Sequence, residues 1–281
     1  MTAPALPMIG GLPRAGSTLL SALLRQNPRI EVTPTGWLLG LVSGMTEAYT
    51  DNQARVAWTD QDVAKQRLNA AVAGACRGYL DTPDRVLTVE KARGGLHWFE
   101  TLTAALGEPP RLILPVRDLR GCISSMERIY RRNPEQQSRM DGAPTVQARG
   151  QKWLHPESMP LGRAIAHLHD GIQRGVIGQC LVVRYEDLAQ YPLTVLRHVY
   201  GFFGFEMPEN THSAEHVEQV NREHDAVYGP IGDHEIQPGP VRYNEPAYND
   251  VLGTDVAAAI VRDNTWFYQA FYPELMGAPQ Q

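Results

Sequence analysis

Apolar residues along this chain follow two alternating patterns. Short apolar-rich runs at Met8-Ile9, Val86 to Glu90, Arg111 to Val116 and Cys180 to Arg184 read as buried strands. Between them, apolar residues return at helical spacing. Leu19, Leu20, Leu23 and Leu24 form one such face, stopped by Asn27-Pro28; Val63, Leu68, Val72, Ala75 and Tyr79 form another within residues 61–80. Leu96, Phe99, Leu102 and Leu106, then Leu161, Ile165, Leu168 and Ile172, give two more, and Pro192 to Phe203 a fifth. Residues 29–36 read as a short extended piece before a helix starting near Trp37, and a helix follows Arg117-Asp118 as far as about Tyr130. Strands alternating with helices predict an α/β fold, with a central parallel sheet flanked by helices on both faces.

Two stretches interrupt the alternation. Residues 133–158 are polar and rich in Pro, Gln and Arg, which predicts a long loop with the role of a lid. From Pro208 to Asp250, Gly229, Gly232, Pro238, Gly239, Pro240 and Pro246 repeatedly break any period. The chain closes with a predicted helix from about Thr254 to Phe271, whose aromatic set of Trp266, Phe267, Tyr268, Phe271 and Tyr272 is read as capping the core, the alternative being a separate aromatic binding platform. The expected organisation is one domain over residues 1–281, with a framework over about 8–205 and a loop-rich segment with a closing helix over 206–281.

The chemistry concentrates where the first strand turns into the first helix. Counting from Gly11, four residues lead to Gly16, Ser17 and Thr18, the spacing of a phosphate loop with serine where a nucleotide hydrolase carries lysine. Such a loop turns backbone N–H groups onto an anion, and the helix N-terminus adds partial positive charge. Arg14 supplies a cation inside the loop. After the Arg111–Val116 strand, where a nucleotide hydrolase places an acidic metal ligand, this chain delivers Arg117 first. Ser124, Ser125 and Arg128 follow on the next helix and complete a cationic, hydroxyl-rich corner suited to a second phosphate. The competing reading puts Arg117 in a salt bridge with Asp118 or Glu127 at a solvated helix start.

The run Gly11-Leu12-Pro13-Arg14-Ala15-Gly16-Ser17-Thr18-Leu19-Leu20 resembles the 5′-phosphosulfate loop of sulfotransferases. These enzymes transfer a sulfuryl group from 3′-phosphoadenosine 5′-phosphosulfate (PAPS) to an acceptor. The arginine form of the loop resembles the tyrosylprotein sulfotransferases and their bacterial relatives. Arg117 to Met126 resembles the family's 3′-phosphate motif, with Arg117 and Ser125 at the matching spacing. Val182 to Leu188 resembles its strand-end motif, in which Tyr185 matches a tyrosine near the adenine; the alternative is a buried tyrosine with its hydroxyl satisfied. The resemblance therefore implies that Arg14, Ala15, Gly16, Ser17, Thr18, Arg117, Ser125, Arg128 and Tyr185 bind the donor. It also implies a catalytic lysine at Lys91, which is otherwise read as a solvated surface lysine.

The general base departs from the family pattern. The tyrosylprotein enzymes carry a glutamate where this chain has Thr33-Pro34-Thr35-Gly36, and the cytosolic enzymes carry a histidine where it has Ala92 and Arg93. Glu90, Glu31 and His97 are the remaining candidates, and Glu90 is chosen because it leaves the same strand end as Lys91. His167 and His169 stand two apart on a helical pattern and do not make a metal pair. The expected activity is sulfuryl transfer from PAPS to a hydroxyl or amine acceptor, without a metal. The alternatives are a nucleotide-dependent phosphotransferase and a nucleotide-binding protein without turnover.

Composition adjusts this picture only at its edges. Hydrophobic residues make up 43% and charged residues 20%, ordinary for a globular protein, and a net charge of −5 gives no reason to expect nucleic acid. Three well-separated cysteines, Cys76, Cys122 and Cys180, suggest a reducing compartment. No apolar run is long enough for a bilayer, and the early first strand leaves no room for a signal peptide, so a cytoplasmic location without membrane partners is expected. The expected partner is a small-molecule or peptide hydroxyl acceptor; a homodimer is left open.

Overall fold

The first strand, β1 (Pro7–Ile9), is buried along its whole length because it is the middle strand of five. The computed structural model describes residues 6–133, 142–158, 160–218, 227, 238–243 and 247–276. Its sheet runs in the order β2-β3-β1-β4-β5, with β2 at Ile30–Thr35, β3 at Leu87–Lys91, β4 at Arg111–Val116 and β5 at Leu181–Arg184. Every neighbouring pair is parallel. Ile9 pairs with Lys91 on one side and with Ile113 on the other, so the β1, β3 and β4 ends that carry the motifs lie side by side.

Helices cover both faces, as the alternating pattern predicts. One face holds Ile9, Val89, Ile113 and Val183 against Leu20, Leu23 and Leu24 of α1 (Ser17–Leu24). The opposite face holds Met8, Leu112, Leu114 and Val116. It packs against α2 (Leu38–Asp51) and, beyond a short α3 (Gln53–Val56), α4 (Gln61–Leu80). Helices α5 (Phe99–Leu106) and α6 (Leu119–Arg132) lie on the same side. Period-two alternation along each strand produces this division. The chain winds to one side of β1 through β2 and β3, then to the other through β4 and β5. The crevice beyond β1 and β4 is thus a topological switch point, where open α/β sheets bind ligands.

Three expectations need correction. The stretch 133–158 is not loop throughout: α7 (Val146–Leu154) forms within it, its N-cap Thr145 accepting from the Ala148 amide at 3.1 Å. Trp153 is buried, and Arg149 is drawn inward by Glu127, so tertiary contacts override the polar composition. Residues 134–141 lie outside the described residues. After α8 (Leu161–Gln173), α9 (Tyr185–Gln190) and α10 (Pro192–Phe202), the last residues of the stretch 208–250 begin a short helix, α11 (Tyr248–Leu252), while its residues 219–226, 228–237 and 244–246, with Gly229, Gly232 and Pro246, lie outside the described residues. The closing helix is two helices, α12 (Thr254–Asp263) and α13 (Thr265–Phe271). Asn264 separates them, its side-chain amide Nδ2 donating back to the Ile260 carbonyl at 2.8 Å.

Candidate active site

The loop between β1 and α1 is shaped by its contact with β4. Gly10 N donates to Ile113 O and Leu12 N to Pro115 O, both at 2.8 Å. Gly11 adopts φ +77°, and a Cβ there would stand 2.2 Å from the Pro115 carbonyl oxygen, so only glycine fits. Arg14 and Gly16 are also left-handed, at φ 63° and 85°. An arginine in that region is uncommon, and the turn holds it there. Helix α1 begins with no side-chain cap and no acidic residue in its first turn. Its first backbone bond runs from Leu20 N to Gly16 O, so the amides of Ser17, Thr18 and Leu19 have no intrahelical acceptor. That is the geometry of an anion cradle.

The second motif closes onto this cradle. Arg14 Nε donates to Ser125 Oγ at 2.9 Å, and Arg117 Nη1 donates to the Arg14 carbonyl at 3.1 Å. The Arg117 guanidinium lies 4.1 Å over the Tyr185 ring. Tyr185 in turn stands against Gly16, where a Cβ would meet its ring at 2.9 Å. Arg14, Gly16, Arg117, Ser125 and Tyr185 therefore form one connected group, drawn from three strand ends. Arg117 Nε and Ser124 Oγ are buried without a partner among the described residues. Buried polar groups are rarely left so, and these two orphaned groups mark where an anionic ligand fits. Arg128 is exposed, one turn beyond Ser125 on the same helix.

The salt-bridge reading of Arg117 does not hold among the described residues. Asp118 accepts from the Arg120 amide and from the Arg120 guanidinium instead, and Glu127 is held by Arg131 and Arg149. Asp118 is also the one acid immediately after β4, the place of a hydrolase's metal ligand. It is buried and committed to capping α6.

Lys91 ends β3 half-buried, at the level of Ile9 and Thr35. Its amide donates to Thr33 Oγ1 at 2.9 Å, and its carbonyl accepts from Gly36 N at 2.8 Å. Glu90 precedes it on the same strand and so points to the other face of the sheet. The Glu90 carboxylate has no solvent exposure. It accepts from Thr33 Oγ1 at 2.8 Å and from Leu38 N at 3.1 Å. Burial pushes its pKa up, against the lowering effect of those donors. A Cβ on Gly36 would sit 2.1 Å from the carboxylate, which therefore abuts bare backbone at the β2–α2 turn. Glu31 pairs with Thr88 near the start of β2, away from the motif-bearing ends. His97 stacks on His167 with ring centroids 5.2 Å apart, while His169 meets Trp266 at 4.7 Å. The two α8 histidines thus point apart, as their spacing implied.

Sequence reasoning passed over the surroundings of Arg117. Tyr268 donates to Asp118 Oδ1 at 2.9 Å, and Tyr272 to Glu186 Oε2 at 2.7 Å. The sequence pattern places both tyrosines in the aromatic set of the closing helix and does not show these bonds. The available signal was their four-residue spacing, which aims two hydroxyls the same way from one helix end.

A left-handed glycine loop, an uncapped helix start and two joined arginines at a switch point define an α/β protein with the geometry of an anion site. The sequence pattern of the sulfotransferase family matches residues 8–209, and the chain belongs to that family. It is an enzyme of sulfuryl transfer, and the phosphotransferase alternative is not favoured. A sulfotransferase from Mycobacterium avium superposes with TM-score 0.54 at 13% identity, over 97% of this chain and 78% of that one. A sulfotransferase from Alicyclobacillus acidocaldarius gives 0.50 at 15% identity, over 97% of each. At such identities the likeness speaks for the fold. No curated protein matches the chain in sequence. Among the described residues no helix is long and apolar enough to cross a membrane, and no cluster of three His, Cys, Asp or Glu is placed to hold a metal ion.

Proposed function

We propose that this enzyme takes PAPS as its sulfuryl donor and a small-molecule or peptide hydroxyl as acceptor. The observation that carries the donor reading is the junction of the two motifs: Arg14 on Ser125 and Arg117 on the Arg14 carbonyl. One loop alone would serve any 5′-phosphate. Two joined cationic motifs suit a nucleotide with phosphate at both ends. The bound donor supplies an activated sulfuryl group for in-line transfer, in which positioning and charge stabilisation dominate.

Ala15, Gly16, Ser17 and Thr18 would hold the 5′-phosphosulfate with their amides and hydroxyls. Arg14 and Lys91 would neutralise charge as it builds on the departing phosphate. Arg117 and Ser125 would hold the 3′-phosphate, Arg128 would add charge at the rim, and Tyr185 would face the adenine. We assign no metal to the site. Glu90 is the proposed base on one condition: the Gly36–Trp37 turn has to move to expose it. Its raised pKa places the acid limb of kcat/KM above the ordinary glutamate range, because activity needs the carboxylate deprotonated. Glu90→Gln should remove that limb. A cytoplasmic location belongs to the same reading and rests on three free cysteines.

Calorimetric titration tests the donor. 3′-Phosphoadenosine 5′-phosphate should bind roughly tenfold or more tightly than AMP, since a charge-assisted bidentate contact contributes on the order of 1.5–3 kcal/mol. It should need no magnesium, and Arg117→Ala should remove most of the preference. Equal affinity for the two nucleotides, or tight ATP binding only with magnesium, would refute it.

A further inference from the structure

Arg117 has two acidic neighbours that make no ion pair with it. Asp118 follows it in sequence, and Glu186 follows Tyr185, whose ring Arg117 covers. The two acids are also joined to each other, the Asp118 amide donating to Glu186 Oε1 at 3.3 Å. A carboxylate free to turn beside a half-buried guanidinium would pair with it, and the subsite would lose its net positive charge. Each acid is instead committed elsewhere.

Asp118 receives Tyr268 at 2.9 Å and the guanidinium of Arg120. Glu186 receives Tyr272 at 2.7 Å. Tyr268 is fully buried and Tyr272 is 2% exposed. Arg184, the last residue of β5, pairs with Glu274 and lies 4.2 Å over the Tyr272 ring, pinning the second tyrosine from its other side. Burial and the adjoining carboxylates raise both phenols well above the ordinary tyrosine value, so both remain hydrogen-bond donors at any physiological pH.

We propose that Tyr268 and Tyr272 act as a two-point clasp that holds Asp118 and Glu186 off Arg117, keeping the second phosphate subsite cationic. They are positioning residues: neither touches the nucleotide, and both act through the acids. The inference rests on the PAPS reading and adds to it a selectivity device supplied by the C-terminal segment, outside the stretch that matches the family pattern.

The test uses the full-length protein, with Tyr268→Phe, Tyr272→Phe and the double variant titrated with 3′-phosphoadenosine 5′-phosphate and with AMP. Phenylalanine keeps the ring packing and removes only the hydroxyl. The double variant should lose about tenfold in bisphosphate affinity, the scale of one charge-assisted contact, while AMP affinity stays within about twofold. Adding Glu186→Gln to Tyr272→Phe should restore bisphosphate binding, because a neutral amide cannot neutralise Arg117. In turnover, the phenylalanine variants should raise the KM for the donor with little change in kcat. A preference unchanged in the double variant, an equal loss for both nucleotides, or no rescue by Glu186→Gln would overturn the clasp alone. Equal affinities in the wild type would overturn the donor reading, and the clasp with it.

Discussion

Glu127→Gln isolates the buried ion pair beneath the second motif. The Glu127 side chain is fully buried and that of Arg149 is 7% exposed. Arg149 binds it with two parallel bonds, Nε to Oε2 at 2.8 Å and Nη2 to Oε1 at 2.7 Å. Its Nη1 also reaches the Pro144 carbonyl at 2.8 Å, so this one arginine ties the segment before α7 to α6. Arg131 adds a third bond at 2.8 Å, but its side chain is 49% exposed, so it contributes no more than about 1 kcal/mol. The substitution keeps the shape, removes the charge and turns an amide N–H₂ toward guanidinium donors. An uncompensated buried guanidinium costs about 3–5 kcal/mol. Urea unfolding at pH 7 should show that loss with an unchanged m-value. Adding Arg149→Met should recover part of it, since an apolar side chain leaves no charge stranded. The acid limb gives a second check. The two arginines hold Glu127 below its ordinary pKa despite its burial. Its stabilisation is therefore complete above the unfolded value and lost as pH falls through the folded one. The variant should lack that component. A loss below about 1 kcal/mol, the scale of one neutral hydrogen bond, would refute the reasoning.

Three further outcomes are expected. Lys91→Ala should lower kcat far more than it weakens binding of 3′-phosphoadenosine 5′-phosphate, because a cation on a developing charge acts mainly in the transition state; parallel losses would reduce Lys91 to a binding residue. Gly11→Ala combines a left-handed backbone with a Cβ 2.2 Å from Pro115 O, so it should destabilise by at least about 2 kcal/mol in urea; a neutral substitution would contradict the close approach. His212 is buried between the Leu23 carbonyl at 2.9 Å and Tyr200 Oη at 2.8 Å, and burial lowers its pKa below 6.5. Its contribution is full above the unfolded value and falls away as pH drops through it, by up to about 1.4 kcal/mol per pH unit. His212→Gln should flatten the stability profile between about pH 7 and 5, and identical slopes would refute the assignment.

The sheet and the turn that opens α1 were legible because their signals are local. Gly11, Arg14 and Gly16 announce a turn that needs left-handed backbone. Arg117 leaves β4 just before α6 and Ser125 lies within α6, and both reach Arg14. The joining of the motifs was not legible, since Arg14 and Ser125 meet only through the pairing of β1 with β4. Glu90 shows a different limit of sequence reading. Strand alternation places it on the opposite face from Lys91, and its enclosure by Thr33, Leu38 and the Gly36 turn is set by β2 and α2, which no pattern local to β3 encodes. Asp118 shows a third. Arg117 and Arg120 compete for it, and helix capping decides, because Asp118 must also accept from the Arg120 amide at the start of α6. Similarly, α7 depends on Arg149 reaching an acid from another helix, which no local pattern encodes.

The central position of β1 has a consequence for synthesis of the chain. Met8 pairs with Glu90 on one side and with Leu112 on the other. The phosphate loop therefore leaves the ribosome well before the strands that wall it, β3 and β4, are made. Until β4 emerges, Gly10 and Leu12 have no carbonyls at Ile113 and Pro115 to receive their amides, and an apolar strand waits without neighbours. Long-range parallel pairing of this kind is slow and exposes strand edges to aggregation. A nascent chain stalled before Arg111 should not retain the donor nucleotide, whereas one extended past α13, with Tyr268 and Tyr272 in place, should. Nucleotide capture would then report completion of the fold rather than synthesis of the loop.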